Sequence, residues 1–127
     1  MLRALLVAAF LLAAQNTNAL AASLEGTWMG AGYLQPASGK RAPVTCKVQY
    51  QPASEAIHTV TATCSAGPLT IVQTGKVKAV SDGRFVGNFS NSTHQVAGSV
   101  RVTVSGSAQQ VVFKGAAGEG ALALKKQ

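Results

Sequence analysis

The sequence predicts a small all-β domain: an antiparallel meander of about eight short strands that closes into a barrel or folds into a two-sheet sandwich. Three observations predict it. Period-two alternation of apolar and polar residues runs through most of the chain beyond residue 25, with no helical stripe of useful length. Val and Thr are abundant, and both fit a pleated surface. Turn-forming residues separate the alternating segments at short, even intervals.

The chain opens on an export signal. Met1-Leu2-Arg3 carries one positive charge, and an uncharged apolar run of about 11 residues follows it. That run is too short to cross a bilayer as a helix, which takes roughly 20 residues, so a retained anchor is disfavoured. Ala19-x-Ala21 is the small-x-small pattern that a signal peptidase accepts, with cleavage before Ala22. Residues 1–21 are therefore expected to be a signal peptide, and residues 22–127 a single β domain of about 106 residues. No cysteine lies near the cleavage site, so no lipid anchor is expected there. The alanine-rich, single-arginine style points to a bacterial protein, periplasmic or secreted.

The strands then follow in order. Residues 28–34 form the first, ended by Pro36-Ala37-Ser38-Gly39. Val44, Cys46, Val48 and Tyr50 point one way in the second, against Thr45, Lys47, Gln49 and Gln51. Gln51-Pro52-Ala53-Ser54-Glu55 leaves that strand, and Val60, Ala62 and Cys64 repeat the pattern in the third. Ala66-Gly67-Pro68 precedes a strand at residues 69–73. Ser81-Asp82-Gly83 reads as a three-residue hairpin loop with Gly83 left-handed, which pairs Ala79 with Phe85 and Val77 with Gly87. A two-residue turn would put Lys76 and Lys78 on the face of Phe85 and Phe89, burying two unpaired charges. Asn91-Ser92-Thr93 and Gly106-Ser107 mark further reversals around the cleanest alternation, Val96-Gly98-Val100-Val102-Val104. Val111 and Phe113 lie on another strand, and a Gly-rich break at residues 115–120 precedes the last, at residues 121–124. Of thirteen glycines, Gly30, Gly32, Gly87 and Gly98 fall within strands, where glycine marks a bend or a close backbone approach.

Pairing Tyr50 with Val60 sets Val48 against Ala62 and Cys46 directly against Cys64. Side chains of directly opposed residues lie roughly 4.5–5.5 Å apart, so a disulfide fits. An oxidising compartment favours it. In the chain-entropy model, closing a loop of this length contributes about 3 kcal/mol. Redox catalysis would call for a C-x-x-C spacing, and zinc for two further ligands; neither pattern is present, and no metal or cofactor is expected.

No catalytic residues are expected either. His58 and His94, the only histidines, sit at strand starts, where Glu55 or Asp82 would have to complete a dyad; both histidines read as surface residues. The motifs G-x-S-x-G and H-E-x-x-H do not occur. Four scattered carboxylates (Glu25, Glu55, Asp82 and Glu119) are a poor supply for paired acid–base work.

The formal charge of +7 falls to +6 once Arg3 is removed. The basic residues are spread out, with no run of five or more. A solvated surface accounts for them; attraction to an anionic envelope component, before nucleic acid, is the functional reading. Lys76, Lys78 and Lys114 mark the expected binding surface.

Leu24-Glu25-Gly26-Thr27-Trp28 places the one tryptophan in a Gly-x-Trp on the first strand. This is similar to the lipocalin and calycin arrangement, which implies that Trp28 plugs one barrel end. More broadly, Gly26-x-Trp28-x-Gly30-x-Gly32, then Gly39-Lys40-Arg41, Cys46-x-Val48-x-Tyr50 and Cys64 resemble a group of small exported proteins of rhizobia and related alphaproteobacteria. That resemblance covers residues 26–64 and implies export, the bridge and a β fold, without an activity.

The expected function is therefore a non-enzymatic exported β domain that binds an envelope component or another exported protein through its outer face. One alternative is a proteinase inhibitor of the small β-barrel type, with residues 22–26 as the segment that enters a protease cleft. Another is a small hydrophobic-ligand carrier, although about 100 residues in short strands are expected to leave little room beyond a packed interior.

Overall fold

The computed structural model describes residues 23–91 and 96–127. The expected signal peptide, Ala22, His94 and most of the Asn91-Ser92-Thr93 reversal lie outside the described residues.

Eight strands follow one another: β1 (Gly26–Pro36), β2 (Ala42–Pro52), β3 (Ile57–Ala66), β4 (Leu69–Ser81), β5 (Arg84–Asn91), β6 (Val96–Ser105), β7 (Ala108–Gly115) and β8 (Gly118–Lys126). Each pairs antiparallel with the next, and β1 pairs with β8, from Trp28↔Lys126 to Pro36↔Gly118. The meander is thus a closed barrel, and the sandwich is excluded. Closure removes both sheet edges, which would otherwise offer unpaired backbone groups.

The strands are longer than the short ones expected; β4 runs 13 residues. Several connections are so tight that nearly every residue joins the ladder. Ala66↔Leu69 and Ser105↔Ala108 each close a two-residue turn. The predicted hairpin register holds, with Ala79↔Phe85 and Val77↔Gly87. Gly83 has φ 71°, the left-handed backbone foreseen for it. The extra residue is absorbed by a register shift between Ala79 and Ser81, next to a turn closed by Ser81↔Arg84.

The cysteine register holds as well. Tyr50↔Val60, Val48↔Ala62 and Cys46↔Cys64 are cross-strand partners, and the two cysteines form a disulfide with Cα atoms 4.1 Å apart. Such a bridge is compatible with an oxidising compartment.

Strand direction gives the barrel two unlike ends. At one end, which we call the floor, lie the residues before β1 and the β2–β3, β4–β5 and β6–β7 turns. The other end, the mouth, carries the remaining connections. Leu24, Trp28, Tyr50, Val77, Phe85, Val102, Val104 and Leu124 are all buried near the floor.

Candidate functional site

The floor is sealed by the N-terminal segment. Ser23 to Glu25 turn back beneath the barrel. Leu24 is 2% exposed, and its carbonyl accepts a hydrogen bond from Trp28 Nε1 at 3.0 Å. Trp28 is 0% exposed, the Lys126 ammonium lies 5.7 Å from its ring centroid, and Lys126 Nζ also donates to the Ser23 carbonyl at 3.3 Å. An inhibitory role for residues 22–26 requires a free segment. The described part of it is instead docked, and releasing Leu24 would expose a side chain whose burial contributes about 1.5–3 kcal/mol.

Above the floor the interior is not filled. A cavity of about 110 Å³ lies within the barrel, with residues from all eight strands in its wall. The expectation that a chain of this size leaves little room is corrected here. The inward positions alternate bulky and absent side chains. Phe89 lies opposite Gly75 on one side and Gly98 on the other, and Phe113 lies opposite Gly120. A Cβ built at Gly98 would meet Phe89 Cζ at 2.8 Å, and one at Gly120 would collide with the Phe113 ring. The two rings therefore lie over glycine backbone, and they meet each other edge to face at 6.0 Å and 83°. Four glycines, Gly75, Gly98, Gly115 and Gly120, thus replace side chains around Phe89 and Phe113.

The remaining wall is aliphatic: Leu34, Val60, Ala62, Val100 and Val111, with the Cys64 side of the disulfide and Ile71 toward the mouth. Leu34, Ile71, Phe89 and Phe113 are only half-buried, unlike Leu24, Trp28, Tyr50 and Phe85 at the floor. The wall is thin between β4 and β5, where Thr74, Gly75, Asn88 and Phe89 border both the cavity and a shallow outer depression. Just above, Asn91 Nδ2 donates to the Val72 carbonyl at 2.8 Å.

Among the described residues, two inward polar side chains line the cavity, Tyr50 and Gln73. Tyr50 donates its hydroxyl to Gln109 Oε1 at 2.6 Å, a buried bond across the barrel. Burial raises the Tyr50 pKa well above its ordinary value of 10.0, so the hydroxyl stays protonated and remains a donor. Gln73 lies on β4 opposite Ala62, and its Oε1 is buried without a hydrogen-bond partner. Gln109 Nε2 and His58 Nδ1 are likewise buried and unpartnered.

His58 corrects the surface reading. It shares the inward phase of Val60, is half-buried, and meets Phe85 edge-on at 5.9 Å. Its Nδ1 contacts neither Glu55 nor Asp82, and His58 does not line the cavity.

The predicted surface lysines lie elsewhere. Lys76 and Lys78 on β4 and Lys114 on β7 are exposed on the outer wall. Register links them in rows: Lys76–Asn88–Ser99–Lys114, and beside it Lys78–Val86–Arg101–Val112. Val86 and Val112, 39% and 54% exposed, stand among these cations. Glu25, Glu55 and Asp82 are at the floor end. Sequence reasoning does not single out Gln73 and the in-phase glycines for a site; their signal is a polar or absent side chain at an inward position of an alternating strand.

No family model matches the chain, and no curated protein sequence matches it. Among solved structures it is similar to designed β-barrels. One is a redesigned barrel, mFAP1, bound to DFHBI, with TM-score 0.66 and 16% identity, covering 82% of this chain and 94% of that one. Another is EF1p2_mFAP2b, also bound to DFHBI, with TM-score 0.65 and 18% identity, covering 82% of this chain and 94% of that one. A third is a de novo designed fluorescence-activating β-barrel, with TM-score 0.62 and 15% identity, covering 81% and 93%. What is shared is the fold.

Proposed function

We propose that this chain is a non-enzymatic exported β-barrel that holds a small apolar ligand in its interior. The observation that carries this reading is the cavity of about 110 Å³, walled by aliphatic and aromatic side chains on the mouth side of a sealed floor. Ligand sites are of this kind: concave, mostly apolar, with few polar groups. Two similar barrels are solved with a small ligand bound, which is consistent with binding by such a fold. The lining supports a role without catalysis. Its inward polar groups are a protonated phenol and a carboxamide, and neither moves a proton near neutral pH.

Calorimetric titration of the oxidised protein with single-ring hydrocarbons tests the reading. Saturable binding is expected in the wild type, and its loss in Ala62→Leu, which fills the cavity from β3. Absence of binding by every ligand of that size would overturn the reading.

A second reading is favoured by the outer face of β4–β7. Lys76, Lys78, Arg84, Arg101 and Lys114 all project from it, with Val86 and Val112 between them. This face suits an anionic, partly apolar surface such as the bacterial envelope presents. Replacing Lys76, Lys78 and Lys114 together with Gln is expected to abolish salt-sensitive co-sedimentation with anionic vesicles. Unchanged co-sedimentation would dismiss this reading and leave the cavity untouched.

A further inference from the structure

We infer that the ligand is a single-ring aromatic carrying one hydrogen-bond donor, of the phenol class, and that Gln73 is its acceptor. This inference rests on the interior-binding reading and specifies its ligand.

Size sets the ring. An engineered apolar cavity of about 150 Å³ takes up benzene, and the space here is about 110 Å³. One ring fits that scale, with its remainder at the mouth; a fused ring system does not. Shape sets the aromatic character. Phe89 and Phe113 meet at 83°, so one presents an edge where the other presents a face. A third ring can join such a pair edge to face or offset, the arrangements that aromatic quadrupoles favour.

Polarity sets the donor. The Tyr50 hydroxyl is already committed to Gln109. Gln73 differs, because its Oε1 is buried and makes no hydrogen bond. Its cross-strand neighbour on β3 is the methyl of Ala62, which offers none. Buried acceptors in folded proteins are nearly always paired, so an orphan in a cavity wall calls for a partner that the described residues do not supply. Water is a poor candidate. It needs two to four polar partners; the inward cavity-lining side chains beside Gln73 on β3 and β4, among them Val60, Ala62, Ile71 and Val77, offer none, and Thr74 is exposed in the outward phase. A hydroxyl or N–H on an apolar ring satisfies the acceptor with one bond and leaves no further polar group stranded.

The test compares phenol, anisole and toluene, which share a ring and differ in donor and acceptor, on the wild type and on Gln73→Met. Calorimetry gives the affinities, and thermal melting checks that the variant folds. The expected wild-type order places phenol above both anisole and toluene. In Gln73→Met the phenol-to-toluene affinity ratio is expected to fall about tenfold, the scale of one hydrogen bond, with toluene binding retained. Equal binding of phenol and toluene by the wild type, or an unchanged ratio in Gln73→Met, would overturn the donor inference while toluene binding upheld the cavity. Anisole matching phenol would also overturn it, because the amide would then be presenting N–H. Failure of all three to bind would overturn the inference together with the reading on which it rests.

Discussion

The floor and mouth halves of this barrel are built from the same eight strands by the same alternation, yet only one of them is packed. Near the floor the inward positions carry Trp28, Tyr50, Phe85, Val102, Val104 and Leu124, and Leu24 closes the end from outside the strands. Toward the mouth they carry Gly75, Gly98, Gly115 and Gly120 between aromatic rings. Alternation determines which way a side chain points; the size of that side chain determines whether the interior is core or cavity. In this domain stability is concentrated at one end and the candidate site at the other.

The largest effect expected from breaking this contrast is at Trp28. Trp28→Ala removes the side chain that spans the floor and leaves the Leu24 carbonyl without its donor. It is expected to cost about 3–5 kcal/mol, read as a lower urea midpoint. Removing the bridge by Cys46→Ala together with Cys64→Ala is expected to cost about 3 kcal/mol in the chain-entropy model, measured the same way.

Tyr50→Phe sharpens the contrast at the boundary between the halves. It leaves both polar atoms of buried Gln109 unpartnered, at about 1–3 kcal/mol. It also changes the alkaline limb of the stability profile. Burial holds the folded-state Tyr50 pKa above the unfolded value of 10.0, so the folded state keeps a proton that the unfolded chain has lost. Stability from this group is fully present below pH 10 and declines as pH rises beyond it. Equilibrium urea unfolding across about pH 9–11 is expected to show that decline in the wild type and a flatter limb in Tyr50→Phe. The smallest effect belongs to the mouth. Gln73→Met is expected to change stability by less than about 1 kcal/mol, toward greater stability, because it removes an unsatisfied acceptor.

Much of the floor and frame is legible in the sequence, because strand register follows from local rules. A tight turn plus an in-phase apolar face fixes pairing, which is why Cys46↔Cys64 and Ala79↔Phe85 follow from the residues alone. Barrel closure is not legible. The β1–β8 ladder joins segments almost a whole domain apart, and alternation is the same in a sandwich. The cavity escapes sequence reasoning for a different reason. Glycines at 30, 32, 87 and 98 read as bends, and they do mark close backbone approach. Their inward phase is shared with Gly75, whose missing side chain borders the cavity. Gln73 is the polar member of Ile71-x-Gln73-x-Gly75-x-Val77, and His58 is the inward neighbour of Val60. An isolated polar residue in an apolar phase points to a buried group that needs a partner, a signal that strand assignment alone passes over.

The most direct test of the central claim is a methyl-resolved NMR titration of the oxidised protein with toluene. Shifts are expected to concentrate at the cavity-lining Val60, Ala62, Ile71 and Val100, with Leu24 and Val104 beyond the cavity wall nearly still. Shifts confined to the outer Val86 and Val112, or none at all, would contradict it.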